Sequence, residues 1–147
     1  MNQKIKILVV EDETSVAMMM VYLLTQAGCE TEVATTGVKA MQMARAGDFD
    51  LVTLDVDLPG MNGFEICRRL KENPCLCDTP VVFVSGGSSE KNQQRALELG
   101  AADFIEKPFE VTNFVFRIKS HAIAKSRPSN VPDENTDADT QSLCNTP

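Results

Sequence analysis

Residues 51–63 read LVTLDVDLPGMNG, and this stretch decides the fold. Four apolar or β-branched residues, 51–54, are followed at once by Asp55 and Asp57, and then by the turn-forming residues PGMNG. An apolar run this short, without polar alternation, is typical of a strand that is covered on both faces in a parallel sheet. The stretch therefore predicts a buried strand whose carboxyl end carries two acids and leads into a tight turn.

Similar runs recur along the chain, at IKILVV (5–10), TEVA (31–34), PVVFVS (80–85) and DFIEK (103–107). The segments between the runs have helical periodicity, and a last helix is predicted over residues 110–124 with an apolar face formed by Val111, Phe114, Val115 and Ile118. Strands that alternate with helices predict a parallel sheet with helices on both faces. We interpret the three methionines at 18–20 as core filling.

Composition and charge disfavour several classes of function. The formal net charge is −7, and no basic cluster is interleaved with aromatic residues, so direct nucleic-acid binding is not expected. The apolar stretch at the N-terminus is too short for a signal peptide or a membrane span, which favours a cytoplasmic protein without membrane contact. Cys75 and Cys77 lack a second Cys/His pair at zinc-type spacing, which disfavours a zinc site.

The composition changes near the C-terminus. Residues 126–147, SRPSNVPDENTDADTQSLCNTP, are polar and acidic and contain few apolar side chains. Such a segment cannot bury enough surface to order itself, so we expect a flexible acidic tail after a single domain at residues 4–125. A short acidic motif for a partner is the alternative interpretation of the tail.

Polar side chains stand at the carboxyl ends of four predicted strands. The first strand ends in Glu11 and Asp12, the third in Asp55, the fourth in Ser85 and the fifth in Lys107. In open α/β sheets, ligands bind outside the carboxyl ends of the strands, near the point where the strand order reverses. We therefore expect these five residues to share one site.

The residue types predict the chemistry of that site. Three clustered carboxylates form an oxygen site suited to Mg²⁺. An ionised Asp beside Mg²⁺ can attack a phosphorus atom, because the metal offsets the repulsion between the two anions. Lys107 and the Ser85 hydroxyl could then hold the phosphoryl oxygens, so the site is suited to phosphoryl transfer.

Five motifs in combination are similar to those of a known family: ILVVEDE, LVTLDVDLPGMNGFE, VVFVSGG, GAADF and EKPF. They resemble the receiver domains of bacterial two-component response regulators, the chemotaxis-regulator-like family, over residues 4 to about 124. The resemblance implies a flavodoxin-like α/β fold, with a five-stranded parallel sheet of order 2-1-3-4-5 and helices on both faces. It also implies a cytoplasmic phosphoprotein of phosphorelay signal transduction. Such a protein is a signalling switch that takes part in its own phosphoryl transfer and autodephosphorylation, and it is not an enzyme.

The resemblance implies a role for each residue that matches a family motif. Asp55 resembles the phosphoacceptor. The implied Mg²⁺ site consists of Asp55, Asp12, the backbone carbonyl of Asp57, and Glu11, which acts mainly through water. The implied switch and phosphate-binding residues are the Ser85 hydroxyl, the aromatic ring of Phe104 and the ammonium of Lys107. The bond between Lys107 and Pro108 is expected to be cis.

Two positions depart from the family pattern. Gly87 stands where many members carry a side chain that affects the phosphoryl lifetime. Asp103 and Arg117 match a charged pair used in the dimers of one transcription-factor subfamily, but Asn113 stands where that subfamily usually has an acid. The resemblance therefore leaves a homodimer on phosphorylation open. We interpret His121 as a surface residue or a mild partner of the helix dipole.

The leading hypothesis is a stand-alone receiver, because no DNA-binding domain follows Lys125. A sensor histidine kinase or a phosphotransfer protein would phosphorylate Asp55, and the surface of helix 4, strand 5 and helix 5 would then change to control an unknown output protein. A second hypothesis is an Asp-nucleophile phosphatase. LDVD matches the Asp-x-Asp motif of haloacid-dehalogenase-like enzymes, although that motif normally ends the first strand and here ends the third. A third is a pseudo-receiver that binds partners without being phosphorylated, against which the complete set of site residues argues.

Overall fold

The structure of the chain is a computed structural model that describes residues 4–86 and 89–126. Gly87 and the part of the predicted tail from residue 127 onward lie outside the described residues. The strands are β1 (Lys6–Val10), β2 (Glu30–Ala34), β3 (Leu51–Leu54), β4 (Val81–Ser85) and β5 (Asp103–Glu106). The helices are α1 (Thr14–Gln26), α2 (Gly37–Ala46), α3 (Gly63–Glu72), α4 (Glu90–Glu98) and α5 (Val111–Ser126).

The strands form one parallel sheet with the order β2-β1-β3-β4-β5, which confirms the predicted topology. Strands β1, β3 and β4 lie in the interior of the sheet, and every residue of β3 and β4 is buried. The short apolar runs form strands here because both faces of the sheet are covered, so no polar alternation is required.

Two apolar layers hold the helices onto the sheet. In β1, Ile7 and Val9 pack with residues of α1 and α5, whereas Leu8 and Val10 pack with residues of α2 and α3 on the opposite face. Successive side chains of a strand point to opposite faces, so one strand supplies both layers. Burial of these layers is the main favourable contribution to folding.

The strand order reverses at β1, and this reversal positions the site. From β1 the chain passes to β2 on one side and returns to β3 on the other. The register pairs Val10 with Leu54, and Leu54 with Phe83, so β1, β3 and β4 end side by side. The residues that follow these ends are therefore neighbours in the crevice where ligands bind in open α/β sheets.

One prediction about helix residues was wrong. Met20 is buried, but the two methionines before it are exposed, because three consecutive helical positions cannot all face the sheet. Val111, predicted on the apolar face of the last helix, is exposed and lines a groove between α1 and α5 together with Val115 of the same face.

Candidate functional site at the carboxyl ends of the strands

The carboxylates of Glu11, Asp12 and Asp55 lie together at the carboxyl ends of β1 and β3. One ligand oxygen from each lies within 4.8 Å of the others. Parallel pairing of β1 with β3 brings the residues that follow the two strands to the same edge of the sheet. A donor set made only of carboxylate oxygens at this spacing fits a small, hard cation such as Mg²⁺.

Lys107 reaches this cluster from the end of β5. Its backbone N–H donates to the carbonyl of Ser85 at 3.0 Å, and the peptide bond to Pro108 is cis. Its Nζ donates to Oε1 of Glu11 at 2.8 Å and to Oδ2 of Asp55 at 3.0 Å. One ammonium group is thus bonded to two of the three acids and offsets part of their charge.

Burial changes the acid–base properties of this pair. Glu11 is 2% exposed, and burial raises the pKa of its carboxyl although Lys107 acts in the opposite direction. Burial tends to lower the pKa of the Lys107 ammonium, but the bonds to Glu11 and Asp55 outweigh it, so this pKa lies above its ordinary value. Lys107 therefore remains protonated near neutral pH and supplies a fixed positive charge.

Both oxygens of the Asp55 carboxylate are oriented by hydrogen bonds. Oδ1 accepts from the backbone N–H of Asp57 at 3.2 Å, and Oδ2 accepts from Lys107. Asp55 is 7% exposed, whereas Asp12 and Asp57 are exposed to solvent. The Asp55 carboxylate is therefore held in place at the edge of a site that opens to solvent.

The turn after β3 is packed directly against Asp55. A Cβ atom at Gly63 would overlap the carbonyl oxygen of Asp55, so glycine is required for this close approach. The N–H of Gly63 donates to the carbonyl of Val56 at 2.9 Å. The side chain of Asn62 caps α3 by accepting from the N–H of Glu65 at 2.9 Å. The first turn of α3 thus rests on the end of β3.

Ser85 and Phe104 lie on the two strands beside the cluster. Ser85 is fully buried at the end of β4, and Phe104 is half-buried on β5. The ring of Phe104 stacks on that of Phe83 with centroids 5.9 Å apart, and the ring of Phe83 lies 5.4 Å from that of Phe64. This row of rings connects β5 to β4 and to the first turn of α3.

A second group of polar side chains joins β5 to α5. The carboxylate of Asp103 accepts from Nε of Arg117 at 2.9 Å and lies 3.1 Å from Nε2 of His121. His121 is therefore half-buried and bonded to Asp103 rather than a free surface residue, and its interaction with the helix dipole stays a prediction. The spacing of four residues places Arg117 and His121 on one face of a helix. The family resemblance matched Asp103 and Arg117 with a charged pair between subunits, and periodicity does not show that Asp103 lies opposite this face within one chain.

The cysteines contribute no metal site in the described part of the chain. No group of three metal-ligating side chains there includes Cys75 or Cys77. Cys67 is buried on α3, and burial raises the pKa of its thiol to about 11. A thiol of this kind stays protonated and unreactive at neutral pH.

No helix in residues 4–86 or 89–126 is long and apolar enough to cross a lipid bilayer.

Comparison with known families explains why these side chains converge. The response regulator receiver domain model matches residues 7–119. The chain belongs to the response regulator receiver domain family. Receiver domains are signalling switches of two-component phosphorelay systems, in which response regulators interact with histidine kinases or phosphotransfer proteins, and they are generally not classed as enzymes. The match decides against the haloacid-dehalogenase-like phosphatase.

Two relatives of this receiver domain are regulators of which only about half is matched. Sensory transduction protein RegX3 of Mycobacterium tuberculosis is 38% identical over 115 residues, which are 78% of this chain and 49% of RegX3. Transcriptional regulatory protein CreB of Escherichia coli is 37% identical over 119 residues, which are 80% of this chain and 51% of CreB. The chain therefore spans about half the length of the curated relatives it matches.

The solved structure of a similar receiver domain confirms the flavodoxin-like fold. The non-phosphorylated receiver domain of HemR from Leptospira biflexa has a TM-score of 0.76 and 34% identity to this chain. The match covers 86% of this chain and 99% of the HemR domain.

Proposed function

We propose that this receiver domain is controlled by phosphorylation of Asp55, with a phosphohistidine of a sensor histidine kinase or a phosphotransfer protein as donor. A bond forms between phosphorus and a carboxylate oxygen of Asp55 as the bond between phosphorus and the histidine nitrogen breaks, which releases the donor's imidazole. The observation that carries the proposal is the position of Lys107, whose ammonium is bonded to both Glu11 and Asp55. The acceptor carboxylate thus already lies beside a fixed cation.

The residues that would hold Mg²⁺ are Glu11, Asp12, Asp55 and the backbone carbonyl of Asp57, with Glu11 acting mainly through water. The close approach of three carboxylate oxygens supports this set. When bound, Mg²⁺ would offset the repulsion between these acids and an incoming phosphoryl group.

The same proposal gives roles to Lys107, Ser85 and Phe104, and it is supported by the bond between Lys107 and Asp55. Lys107 would bind a phosphoryl oxygen once the phosphoryl group is on Asp55, and the buried Ser85 hydroxyl would bind another. The ring of Phe104 would then leave its place on Phe83, and the surface of α4, β5 and α5 would change for an output protein. A near-complete change of state requires a differential stabilisation of about 5 kcal/mol.

Residues 4–125 are proposed as the receiver unit, with residues 126–147 outside it, in agreement with the family match to residues 7–119. Limited proteolysis should leave a fragment that ends near Lys125, and cleavage within α4 or β5 instead would contradict this division. A location in the cytoplasm, where ATP-dependent histidine kinases act, and a homodimer on phosphorylation belong to the same proposal. Sedimentation before and after phosphorylation tests the dimer.

Intact-mass analysis after incubation with acetyl phosphate, with and without Mg²⁺, tests the proposed function. We expect one phosphoryl adduct that requires Mg²⁺ and is lost in Asp55→Ala. Asp48→Ala is the matched control, because Asp48 is an exposed acid that precedes the opposite end of β3. It should form the adduct as the parent chain does. Absence of an adduct from the folded parent chain would contradict the proposal and favour a pseudo-receiver that binds partners without phosphorylation.

A further inference from the structure

The peptide groups of Phe104 lie at the open edge of the sheet. β5 is the last strand in the sheet order, and Lys107 donates its N–H across to Ser85 of β4. Peptide groups point alternately to the two sides of a strand, so Phe104, three positions earlier, directs its N–H and C=O away from β4. Such edge groups need partners from outside the sheet.

The side chains of Asp103 and Arg117 are the hydrogen-bond partners of the N–H and the C=O of Phe104. The N–H of Phe104 donates to Oδ1 of Asp103 at 2.8 Å, and its carbonyl accepts from Nη2 of Arg117 at 3.2 Å. Asp103 and Arg117 are themselves joined by two hydrogen bonds, one from Nε and one from Nη2 of the guanidinium. The backbone of Phe104 is therefore part of a closed ring of hydrogen bonds.

His121, one turn after Arg117 on α5, is a third side chain in contact with this ring of hydrogen bonds. Its Nε2 lies 3.1 Å from the same Asp103 oxygen that Arg117 Nε contacts. Burial tends to raise the pKa of Asp103, but the bonds from Arg117, the Phe104 N–H and His121 outweigh it, and the pKa lies below its usual value. Asp103 is thus ionised at neutral pH and can accept all of these bonds. We call Asp103, Arg117 and His121 the Phe104 clamp.

We propose that the Phe104 clamp fixes the backbone of Phe104, so that its three members are positioning residues for the switch, and that α5 is coupled to Asp55 through it. The inference rests on the proposed function, in which the Phe104 ring responds to phosphorylation. With its backbone held, Phe104 can respond only by rotation of its side chain between staggered positions. A partner that binds Asp103 or Arg117 would release the backbone, and by linkage phosphorylation would change the affinity for that partner by the same factor.

A purely structural role is the alternative, in which the clamp only attaches α5 to the edge of the sheet. The side chains of Arg117 and Asp103 are 33% and 20% exposed, so the pair is more protected than a surface ion pair and contributes to stability. A structural role predicts a loss of stability on mutation without any effect on the phosphoryl group. The two roles are therefore separable by experiment.

Amide hydrogen exchange of the unphosphorylated chain, measured by NMR, tests the clamp directly. In Arg117→Ala we expect the Phe104 amide to exchange about tenfold faster, because Asp103 is no longer held against it. The Lys107 amide, bonded within the sheet, should exchange as before and serves as the internal reference. Lys119→Ala is the matched control, because Lys119 is an α5 cation that donates to the carbonyl of Ala27. It should change neither amide.

The half-life of the phosphoryl adduct is the second readout, and a structural attachment would not change it. We expect Arg117→Ala to change this half-life by about twofold or more and Lys119→Ala to leave it unchanged. His121→Ala should shift both readouts in the same direction as Arg117→Ala, and His121→Gln, whose amide can donate to Asp103, should restore them.

Three outcomes would overturn the inference. Unchanged exchange of the Phe104 amide in Arg117→Ala would show that there is no clamp. Faster exchange with an unchanged adduct half-life would show a structural attachment only, and the proposed function would stand. Failure of the parent chain to form an adduct would overturn the proposed function and, with it, the coupling of α5 to Asp55.

Discussion

Thr53 carries a polar atom into the apolar layer directly beneath the site. It lies on β3 two residues before Asp55, is 1% exposed, and faces Val9 and Val82 of the neighbouring strands in the register. Within the described residues, its hydroxyl has no hydrogen-bond partner. A buried hydroxyl without a partner costs free energy, because it has lost its bonds to water.

Thr53→Val should therefore raise the free energy of unfolding, by about 1 kcal/mol in urea denaturation. Valine has nearly the same shape as threonine and lacks the hydroxyl. Thr36→Val is the same chemical change at a position where the hydroxyl caps α2 by accepting from the N–H of Lys39, so stability should fall by about 1 kcal/mol. A loss of stability in Thr53→Val would show that the Thr53 hydroxyl has a partner.

At the scale of secondary-structure elements, the contact between β3 and α3 depends on the absence of a side chain at residue 63. Gly63→Ala places a methyl group against the carbonyl of Asp55, and backbone atoms cannot rotate away as a side chain can. We expect the free energy of unfolding to fall by about 1–3 kcal/mol in chemical denaturation.

Gly86→Ala provides the control for Gly63→Ala. A Cβ at Gly86 meets no atom within 4 Å, and its φ is not positive, so stability should change by less than about 0.5 kcal/mol. Equal effects of the two substitutions would mean that the close approach of Gly63 to Asp55 does not limit packing.

The contact between β5 and α5 should make stability depend on pH in the acid range. The pKa of Asp103 in the folded chain lies below its ordinary value of 3.8, so the unfolded chain binds more protons between the two values. The stabilisation is complete above the unfolded value and is lost as the pH falls through the folded value. Urea denaturation as a function of pH should therefore show a shallower acid decline in Asp103→Asn. If the free energy of unfolding of Asp103→Asn depends on acid pH as steeply as that of the parent chain, the lowered pKa of Asp103 would be contradicted.

At the scale of the whole molecule, Mg²⁺ should stabilise the folded chain against heat. The three carboxylates converge only when β1 and β3 are paired, so the unfolded chain offers no equivalent site. At a Mg²⁺ concentration one hundred times the dissociation constant, the expected gain is about 2.7 kcal/mol, seen as a rise in Tm over a sample with EDTA. Asp12→Asn should lose most of this gain. A parent chain with the same Tm in MgCl₂ and EDTA would contradict the metal site.

The architecture and the convergence of the three acids with Lys107 could be predicted from the sequence, because each depends on local pattern. Short apolar runs identify strands, and a parallel sheet brings the polar residues after them to one edge, as with Asp55 and Lys107. The strand order and the individual roles came from the family resemblance, since apolar patterns do not say which strands are neighbours.

Contacts that neither the strand pattern nor the family resemblance indicates could not be predicted. Periodicity indicates which face of α5 His121 occupies, but not that Asp103 lies opposite it. Thr53 belongs to an apolar run and looks like any β-branched strand residue, and only the packing around it shows that its hydroxyl lacks a partner. The residues at 18–20 are all apolar methionines, but only Met20, which faces the sheet, is buried.

The close contact between the backbone atoms of Gly63 and Asp55 restricts the relative motion of α3 and β3. Because backbone meets backbone there, the start of α3 and the end of β3 cannot slide past each other and move as one rigid piece. A structural change that begins at Asp55 therefore cannot proceed by relative motion of β3 and α3. The side chains that can rotate lie on the other side of the site, where Lys107 is bonded to Asp55 and where Ser85 and Phe104 lie on the next two strands of the sheet.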